Sequence, residues 1–441
     1  MNQKRIGELV DLDKKHFLHP TSSIKQQQEN GPAIIFTRGN GIYLYDAFGK
    51  EYIDGMASLW NVNIGHGRKE IAAAAAEQMT KLAYSSCFNT FSNEPAIVLA
   101  EKISQMTPDD LNTTFFTSGG SEAIETAIKL VRHYWIVKGE NQRKKIISRK
   151  KSYHGLALGA THATGLKPFR DFSNAISPDF CHVEEQTTQA LIDLIKKEGP
   201  ENIAAFMTEP VQGAGGVHIP PVEYIRECKR VCEKYGILFI ADEVITGFGR
   251  TGKSFGMEHF GVTPDIMCFA KGVTSGYAQL GGVTISQTIH QDLIAFSEGT
   301  FLHGYTYSGH PTACAVGLRN IRVIEEEDLI GNVQRMGQEL LNGLNWLKGQ
   351  HSIVGKVRSI GLLGAIELVK NPTTNEQFNQ PISPEIVKEA EKRGLIIRSV
   401  VFDGQDTIVL SPPFIINKQE IHKMIEIISE SLFLSVNHHP K

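Results

Sequence analysis

The sequence predicts an α/β fold, in which a large domain with a mainly parallel sheet is joined to a smaller α+β domain. From about residue 60, helical stretches alternate with short apolar runs, at 114–116, 145–148, 204–207, 237–241 and 266–270. This alternation is typical of βα units, in which helices cover both faces of a parallel sheet. After a long helical stretch that begins near residue 312, three segments have the pattern of strands, at 361–369, 394–400 and 407–410.

The chain before residue 60 has a different pattern. Its first ~30 residues are polar and end in a cluster of helix-breaking residues. Residues 33–37 and 42–46 then have the character of two strands, and the glycines at 39 and 41 between them favour a hairpin. Three units are therefore expected: an N-terminal segment of residues 1–60 that packs with the small domain, a large domain of 61–320, and a small C-terminal domain of 321–441. Within the large domain, helices are expected at 69–83, 94–106 and 122–138.

Composition and charge exclude several classes of protein. Of 441 residues, 45 are Lys or Arg and 48 are Asp or Glu, so the net charge is −3. Such a balance argues against nucleic acid or an anionic membrane as the main partner. The chain lacks an apolar run of about 18 residues, which a transmembrane helix needs, and it lacks a secretory signal after Met1. The six cysteines are scattered, and Cys228 and Cys232 lack a second Cys/His pair for a metal. We expect a reduced, cytoplasmic protein without a metal site.

Three ionisable residues follow apolar runs that are expected to be strands. Glu209 comes after 204–208, Asp242 after 237–241, and Lys271 after 266–270. Ligands of open α/β sheets bind beyond the carboxyl ends of the strands. Each residue alone also fits a polar group where a strand reaches the surface, but the three together indicate a functional site.

A second candidate segment, 117–123, contains Gly119, Gly120 and Ser121 between an apolar run and an amphipathic helix. Free N–H groups at a helix N-terminus favour an anion, such as the phosphate of a ligand. The same residues fit an ordinary strand-to-helix turn that is capped by Ser121. From the residues alone, both interpretations stay open.

Two further motif matches point to other chemistries. Residues 247–252 have the G-x-G-x-x-G spacing of dinucleotide-binding proteins, and residues 252–256 match the pattern around the nucleophile of α/β-hydrolases. The first match is separated from its strand by four residues, and the second lies inside a glycine-rich loop. Because the required strand and helix are missing on either side, we interpret both matches as accidental.

Taken together, the segments resemble the class III, or omega, aminotransferases, which are pyridoxal-phosphate enzymes of fold type I. The resemblance is closest to the omega-amino acid and amine:pyruvate enzymes and covers nearly the whole chain. It rests on Ser118-Gly119-Gly120-Ser121-Glu122-Ala123, Tyr153-His154-Gly155, Glu209-Pro210-Val211-Gln212-Gly213, the run from Ala241 to Gly252, Ala270-Lys271-Gly272, and the run from His303 to Pro311.

The resemblance implies a role for each matching residue that would hold pyridoxal 5′-phosphate. Lys271 would bind the cofactor aldehyde as a Schiff base, and Asp242 would keep the pyridine nitrogen protonated, so that the ring accepts electrons. Gly120 and Ser121 would bind the phosphate, and Thr306 would reach that phosphate from the partner subunit.

Four other residues are implied to surround the cofactor ring. Tyr153 would stack on one face of the ring, and Val244 would pack against the other. Gln212 would approach the 3-oxygen of the ring, and Glu209 would lie near the ring or the substrate.

The substrates follow from the same resemblance. An amine or omega-amino acid would donate its amino group, and a keto acid such as pyruvate would accept it in ping-pong order. Trp60, in Ser58-Leu59-Trp60-Asn61, would form a wall of the substrate pocket, with Phe88 contributing across a homodimer interface. Arg398 would clamp the carboxylate of the acceptor, with Arg358 as the alternative partner. A homodimer is therefore expected, and a tetramer is also compatible with the sequence.

Other activities occur on the same scaffold. The biotin-pathway enzyme adenosylmethionine:8-amino-7-oxononanoate aminotransferase shares the Trp, the Tyr-His-Gly and the Arg, but its Trp is usually followed by a second Trp, where this chain has Asn61. A decarboxylase of dialkylglycine type and a glutamate-semialdehyde aminomutase share the scaffold as well. A nicotinamide oxidoreductase is a separate alternative, which only the G-x-G-x-x-G match suggests.

Overall fold

The computed structural model describes residues 1–108, 110–183 and 187–438, and its N-terminal part contains two helices and a three-stranded meander. The helices are α1 (Gln3–His16) and α2 (Ile24–Asn30). Each begins at a polar cap, since Asn2 and Ser23 accept hydrogen bonds from the backbone of Arg5 and Gln26. The strands are β1 (Phe36–Asn40), β2 (Tyr43–Asp46) and β3 (Glu51–Asp54), which pair in antiparallel order.

Seven strands form the large sheet. In chain order they are β4 (Leu111–Thr117), β5 (Lys145–Arg149), β6 (Phe180–Val183), β7 (Ile203–Thr208), β8 (Leu238–Asp242), β9 (Ile266–Phe269) and β10 (Gly281–Ser286). Across the sheet the order is β4-β10-β9-β8-β7-β5-β6, and β10 runs antiparallel to both of its neighbours. The prediction of a large, mainly parallel sheet is therefore confirmed.

Helices pack on both faces of this sheet because successive strand residues point in opposite directions. Ile146 joins one apolar cluster with the helix Gly120–Val137, while the next residue, Ile147, joins a second cluster with the helices Thr188–Glu198 and Val222–Tyr235. The helices of this part are α3 (Ala57–Trp60), α4 (Lys69–Lys81), α5 (Glu94–Met106), α6 (Gly120–Val137), α7 (Leu158–Ala163), α8 (Lys167–Phe172), α9 (Thr188–Glu198), α10 (Val222–Tyr235) and α11 (Gln287–Phe296).

The helical stretch expected from residue 312 is two helices, α12 (Pro311–Glu326) and α13 (Leu329–Gln350). The break is at Asp328, whose φ of 47° is left-handed. The remaining elements are β11 (Val354–Ile360), β12 (Leu363–Leu368), α14 (Ser383–Lys392), β13 (Leu395–Ile396), β14 (Arg398–Val400), β15 (Thr407–Leu410) and α15 (Lys418–His438).

The strand expected at 394–400 is divided between two sheets. Strand β13 pairs in parallel with β3 of the N-terminal meander, whereas β14 pairs with β15 in a second sheet of order β11-β12-β15-β14. A β-carbon at Gly55 would lie 2.7 Å from the carbonyl oxygen of Ile396, so this junction requires glycine. The domain boundaries at residues 60 and 320 stay a proposal.

Within the described ranges, none of the helices combines the length and apolar character that crossing a membrane requires. The same ranges contain no cluster of three or more His, Cys, Asp or Glu side chains arranged to hold a metal ion.

Candidate active site

The carboxyl ends of three neighbouring strands bring Glu209, Asp242 and Lys271 to one cavity of about 150 Å³. Asp242 is the last residue of β8, which lies between β7 and β9. Glu209 follows the end of β7, and Lys271 follows Ala270 after β9. The cavity therefore lies where a ligand of a parallel sheet is expected. Its other lining residues are Gly120, Ser121, Tyr153, His154, Gly155, Val244 and Ile245.

Asp242 is buried and fixed by two neighbours. Its Oδ2 atom lies 2.7 Å from Nδ1 of His154, and its Oδ1 accepts a hydrogen bond of 3.1 Å from the backbone of Val244. The Nε2 atom of His154 is buried without a hydrogen-bond partner in the described part of the chain. An Nδ1–H that donates to the carboxylate thus orients Asp242 in the cavity.

Glu209 is also buried, and its carboxylate accepts backbone hydrogen bonds from Tyr153 at 2.9 Å and from Gly213 at 3.1 Å. Burial raises the pKa of Glu209 to about 7, and the charge of Asp242 contributes in the same direction, against the opposing effect of His154. Glu209 can therefore change its protonation state near neutral pH.

Lys271 stands at the start of a 3₁₀ helix, Lys271–Val273, and has a left-handed φ of 41°. Burial lowers the pKa of its amine, opposed by the charges of Asp242 and Glu209. Among the described residues, the amine has no hydrogen-bond or ion-pair partner. A larger share of neutral amine is available than for an exposed lysine, which favours both nucleophilic attack and proton abstraction.

The N-terminus of α6 forms another part of the cavity wall. The helix begins at Gly120, so Ser121 lies inside the first turn and does not cap it; its Oγ accepts a hydrogen bond from the backbone of Leu156 instead. A β-carbon at Gly120 would lie 2.9 Å from the side chain of Val244. The glycine lets this turn approach the cavity, and the N–H groups of a first helical turn are free to bind an anion.

Tyr153 and Val244 form further parts of the cavity wall. The ring of Tyr153 contacts Phe169 edge-on, with 5.5 Å between ring centroids, and Phe169 contacts Phe402 in the same way at 5.2 Å. These contacts fix the aromatic face that Tyr153 can offer to a planar ligand.

These residues fit pyridoxal phosphate. The cavity has an amine for the aldehyde, a buried carboxylate for the ring nitrogen, an aromatic wall, and a glycine-containing helix N-terminus for the phosphate. Among the described residues, the amine of Lys271 has no hydrogen-bond partner that it would have to give up in order to bind the aldehyde. Asp242 is already oriented by His154.

Trp60 is buried beside the cavity, with 2% of its surface exposed. It packs in a cluster with Val211, Val400 and the cavity residue Ile245. The segment before it is strained, because Ala57, Ser58 and Trp60 all have left-handed φ angles of 44°, 59° and 60°.

The buried carboxylate of Asp54 holds this segment. It accepts hydrogen bonds from the backbone N–H and the hydroxyl of Ser58, at 2.7 and 3.0 Å, and lies 2.9 Å from Nε2 of His66. Asp54 therefore supports the backbone conformation that places Trp60.

The guanidinium of Arg398 has no carboxylate or hydrogen-bond partner in the described ranges. Burial lowers its pKa, with an opposing contribution from Tyr153, and its charge in turn lowers the pKa of Lys271. Arg358 differs, since it donates to Glu367 at 2.6 Å and to the carbonyl of Gly216 at 2.9 Å. Of the two arginines, Arg398 is the one that is available to bind a carboxylate.

Thr306 and Phe88 do not line the cavity of their own chain and lie on one exposed surface. The hydroxyl of Tyr84 donates to the carbonyl of Thr306 at 2.8 Å. A β-carbon at Gly304 would lie 2.9 Å from the ring of Phe88. The structure thus brings the two residues predicted to act across a dimer into neighbouring segments.

Gln212 is not brought to the cavity. Its amide accepts from Arg149 at 3.3 Å and donates to the carbonyl of Lys150 at 2.8 Å, and the side chain is fully buried. Gln212 is therefore absent from the cavity lining, and its approach to the 3-oxygen of a ring stays a prediction.

The glycine-rich segment 247–252 is followed by a 3₁₀ helix, Gly256–Phe260, and not by an α-helix. Its Arg250 is fully buried, donates to the carbonyl of Pro412 at 2.5 Å and to Asn63, and lies over the ring of Phe414. The segment therefore joins parts of the fold and lacks the strand–turn–helix of a dinucleotide site.

Comparison with known proteins shows the family of the chain. The Aminotransferase class-III family model matches residues 24–432. The chain is 38% identical to the putrescine–pyruvate aminotransferase of Pseudomonas aeruginosa over 439 residues, which cover 96% of this chain and 95% of that protein.

Solved structures are similar over nearly the full length. A transaminase from the marine bacterium Virgibacillus is 53% identical, with a TM-score of 0.97, and 98% of this chain and 100% of that chain are covered. A thermostable (S)-enantioselective omega-transaminase from Thermomicrobium roseum is 43% identical, with a TM-score of 0.93, and 98% and 99% are covered. The fold is therefore that of the fold type I pyridoxal-phosphate enzymes, and the chain belongs to the class III aminotransferases, as a pyridoxal-phosphate-dependent transaminase.

Proposed function

We propose that this transaminase moves an amino group from a primary amine or omega-amino acid to a keto acid, with pyruvate as the acceptor, and that Lys271 carries the cofactor. The observation that carries the proposal is the desolvated amine of Lys271, which shares a cavity with the buried carboxylates of Asp242 and Glu209. Among the described residues, neither this amine nor the guanidinium of Arg398 has a hydrogen-bond or ion-pair partner. When bound, pyridoxal phosphate supplies an aldehyde that condenses with amines and a ring that accepts the electrons released when a C–H bond breaks.

The residues of the chain then have separate tasks. Lys271 holds the cofactor, and its amine, once released, moves the proton of the substrate carbon. Asp242, oriented by His154, keeps a proton on the ring nitrogen. Gly120 and Ser121 bind the phosphate at the positive end of the α6 dipole.

Arg398 is proposed to bind the carboxylate of the keto acid. A guanidinium with free N–H groups can bind a carboxylate through two parallel hydrogen bonds. An acceptor with one carboxylate beside its carbonyl, such as pyruvate, suits binding by the one guanidinium of Arg398. The acceptor named in the putrescine–pyruvate relative supports the same choice.

The active enzyme is proposed to be a homodimer in the cytoplasm, in which Thr306 and Phe88 of each chain reach the cavity of the other. Apolar side chains are exposed around these two residues, with 69% of Phe91, 90% of Leu302 and 58% of Tyr307 accessible in the single chain. Burying such a surface against a second copy would stabilise a dimer.

The proposal is tested by comparing wild type, Lys271→Ala and Lys229→Ala after loading with pyridoxal phosphate. Lys229, on α10, is a matched control, because its amine donates to the carboxylate of Asp265 at 2.8 Å. Borohydride should fix cofactor to the peptide that contains residue 271 in wild type and Lys229→Ala, and should not do so in Lys271→Ala. Label on any other peptide in wild type would contradict the role of Lys271.

The substrates are tested with a donor panel, with alanine formed from pyruvate as the readout. Beta-alanine, putrescine, 1-phenylethylamine, taurine and S-adenosylmethionine cover the donor classes. Alanine formation with at least one amine or omega-amino acid is expected. Activity restricted to S-adenosylmethionine with 8-amino-7-oxononanoate would indicate the biotin-pathway reaction, and release of CO₂ would indicate a decarboxylase.

A further inference from the structure

We infer that Asn320, on α12, is a positioning residue for Lys271: its side-chain amide holds the two carbonyls that follow the lysine and so fixes the direction of the lysine amine. The inference rests on the proposed function of Lys271. It concerns a residue that is absent from the described lining of the cavity.

Lys271 needs external support, because its backbone is in the left-handed region with φ of 41°. A residue with a side chain pays free energy for this conformation, and the conformation persists only where the surroundings enforce it. The turn itself supplies two backbone hydrogen bonds, from Val273 to Ala270 at 3.1 Å and from Thr274 to Lys271 at 3.2 Å.

Asn320 supplies the contact from outside the turn. Its Nδ2 donates to the carbonyl of Gly272 at 2.9 Å and to the carbonyl of Val273 at 2.9 Å. The side chain is fully buried, and its Oδ1 has no hydrogen-bond partner among the described residues. Burying an amide whose oxygen has no partner costs stability. We explain the presence of this amide by the two hydrogen bonds that it donates to the turn.

The other side of the turn is closed by Asn63. A β-carbon at Gly272 would lie 2.7 Å from Nδ2 of Asn63 and 3.1 Å from the carbonyl of Gly247. Asn63 is itself held by the buried Arg250. Gly272 is therefore held at its carbonyl by Asn320 and enclosed at its α-carbon by Asn63, so the turn has no room to move toward Asn63.

This arrangement matters because the amine of Lys271 has no partner of its own in the described part of the chain. Its direction is set by the backbone and by packing alone. An error of about 1 Å in the position of a reacting group can lower a rate by about 100-fold. A loosened turn would leave the amine present but misdirected.

The test compares Asn320→Ala with Asn332→Ala. Asn332, on α13, makes the same kind of contact, since its Nδ2 donates to the carbonyls of Phe414 at 2.6 Å and Ile416 at 3.0 Å. Both variants lose an amide that joins a helix to two loop carbonyls, but only one of these loops carries Lys271. Both are loaded with pyridoxal phosphate, and their thermal midpoints are recorded.

Two readouts separate positioning from stability. The first is the rate constant of the donor half-reaction, which should fall at least ~10-fold in Asn320→Ala, while the apparent dissociation constant of the donor stays within ~2-fold. The second is the pH titration of the visible absorption band without substrate, whose midpoint should shift in Asn320→Ala. Asn332→Ala should match wild type in both, whatever its thermal midpoint.

The inference is wrong if Asn320→Ala keeps the wild-type rate constant and titration midpoint and loses only thermal stability. If Asn320→Ala does not fold, Asn320→Ser, which keeps one small donor, should show the same changes at smaller size; wild-type values in Asn320→Ser would equally overturn the inference. A wild-type protein without a visible band or borohydride-fixed cofactor would instead contradict the proposed function itself.

Discussion

His154 Nδ1 lies 2.7 Å from Asp242 Oδ2, and both side chains are buried at the carboxyl edge of the large sheet. The pair links the loop after β5 with the end of β8, two segments that are 88 positions apart in the chain. A buried carboxylate without such a donor would rotate or take up a proton, and either change would remove a fixed negative charge from the cavity.

Replacing His154 by Phe should therefore lower turnover by about 10- to 100-fold, since a hydrogen bond to a charged group contributes about 1.5–3 kcal/mol. Steady-state kinetics with a primary amine and pyruvate measures the loss. His351→Phe is the control, because His351 contacts Ser429 at 2.7 Å far along the chain from the cavity residues. Full activity of His154→Phe would show that Asp242 needs no orientation.

Arg398→Ala should raise the KM for pyruvate at least 10-fold and leave the KM for 1-phenylethylamine within about 2-fold, because only the keto acid has a carboxylate for the guanidinium. Arg358→Ala is the control, because its guanidinium is already bound to Glu367 and the carbonyl of Gly216. A larger effect on pyruvate in Arg358→Ala than in Arg398→Ala would reverse the assignment.

Glu209 makes a prediction about stability and pH. Its pKa in the folded protein is raised to about 7 from 4.5. Between these two values the folded chain binds a proton that the unfolded chain releases, so this group's contribution to stability falls as pH rises from about 4.5 to about 7. The Glu209→Gln variant has no titrating group at this position, so this pH-dependent contribution to stability is absent from it.

The thermal midpoint of the cofactor-free protein should therefore fall more between pH 5 and pH 8 in wild type than in Glu209→Gln, by a few degrees. Glu243, whose pKa burial also raises to about 7, is present in both proteins and cancels in the comparison. Thermal midpoints that differ by the same amount at pH 5 and pH 8 would contradict the raised pKa of Glu209.

Asp54→Asn should change the donor preference of the enzyme, because Asp54 holds the strained segment that places Trp60. We expect the ratio of kcat/KM for 1-phenylethylamine to kcat/KM for a small amine to shift by about 5-fold or more. Asp46→Asn is a close control: Asp46 also accepts three hydrogen bonds, from the backbone of Phe48 and Lys50 and from the hydroxyl of Tyr52. An equal shift in both variants would mean that loss of stability, and not Trp60, causes it.

Much of the site could be predicted from the sequence because each key residue follows a short apolar run. Glu209 and Lys271 follow the ends of β7 and β9, Asp242 is the last residue of β8, and parallel pairing of these neighbouring strands places their ends together. The helix at Glu94–Met106 has the predicted bounds, since Asn93 caps it and Pro95 stands in its first turn. These signals are local, so a single sequence contains them.

Other features depend on contacts between distant segments. The sequence contains His154, the partner of Asp242, as part of the Tyr-His-Gly motif. No neighbouring residue in the sequence indicates that its ring turns toward the end of β8. Gln212 turns toward Arg149, which the sequence places more than 60 positions away. Strand β10 begins with two glycines, and Gly282 is required because a β-carbon there would lie 2.5 Å from the ring of Phe269.

The parallel pairing of β3 with β13 has a consequence for biosynthesis. Ile53 is translated 342 residues before its partner Leu395 (395 − 53). During the synthesis of that intervening segment, this edge of β3 has no neighbouring strand, and an open edge on a nascent chain is a natural target for chaperones.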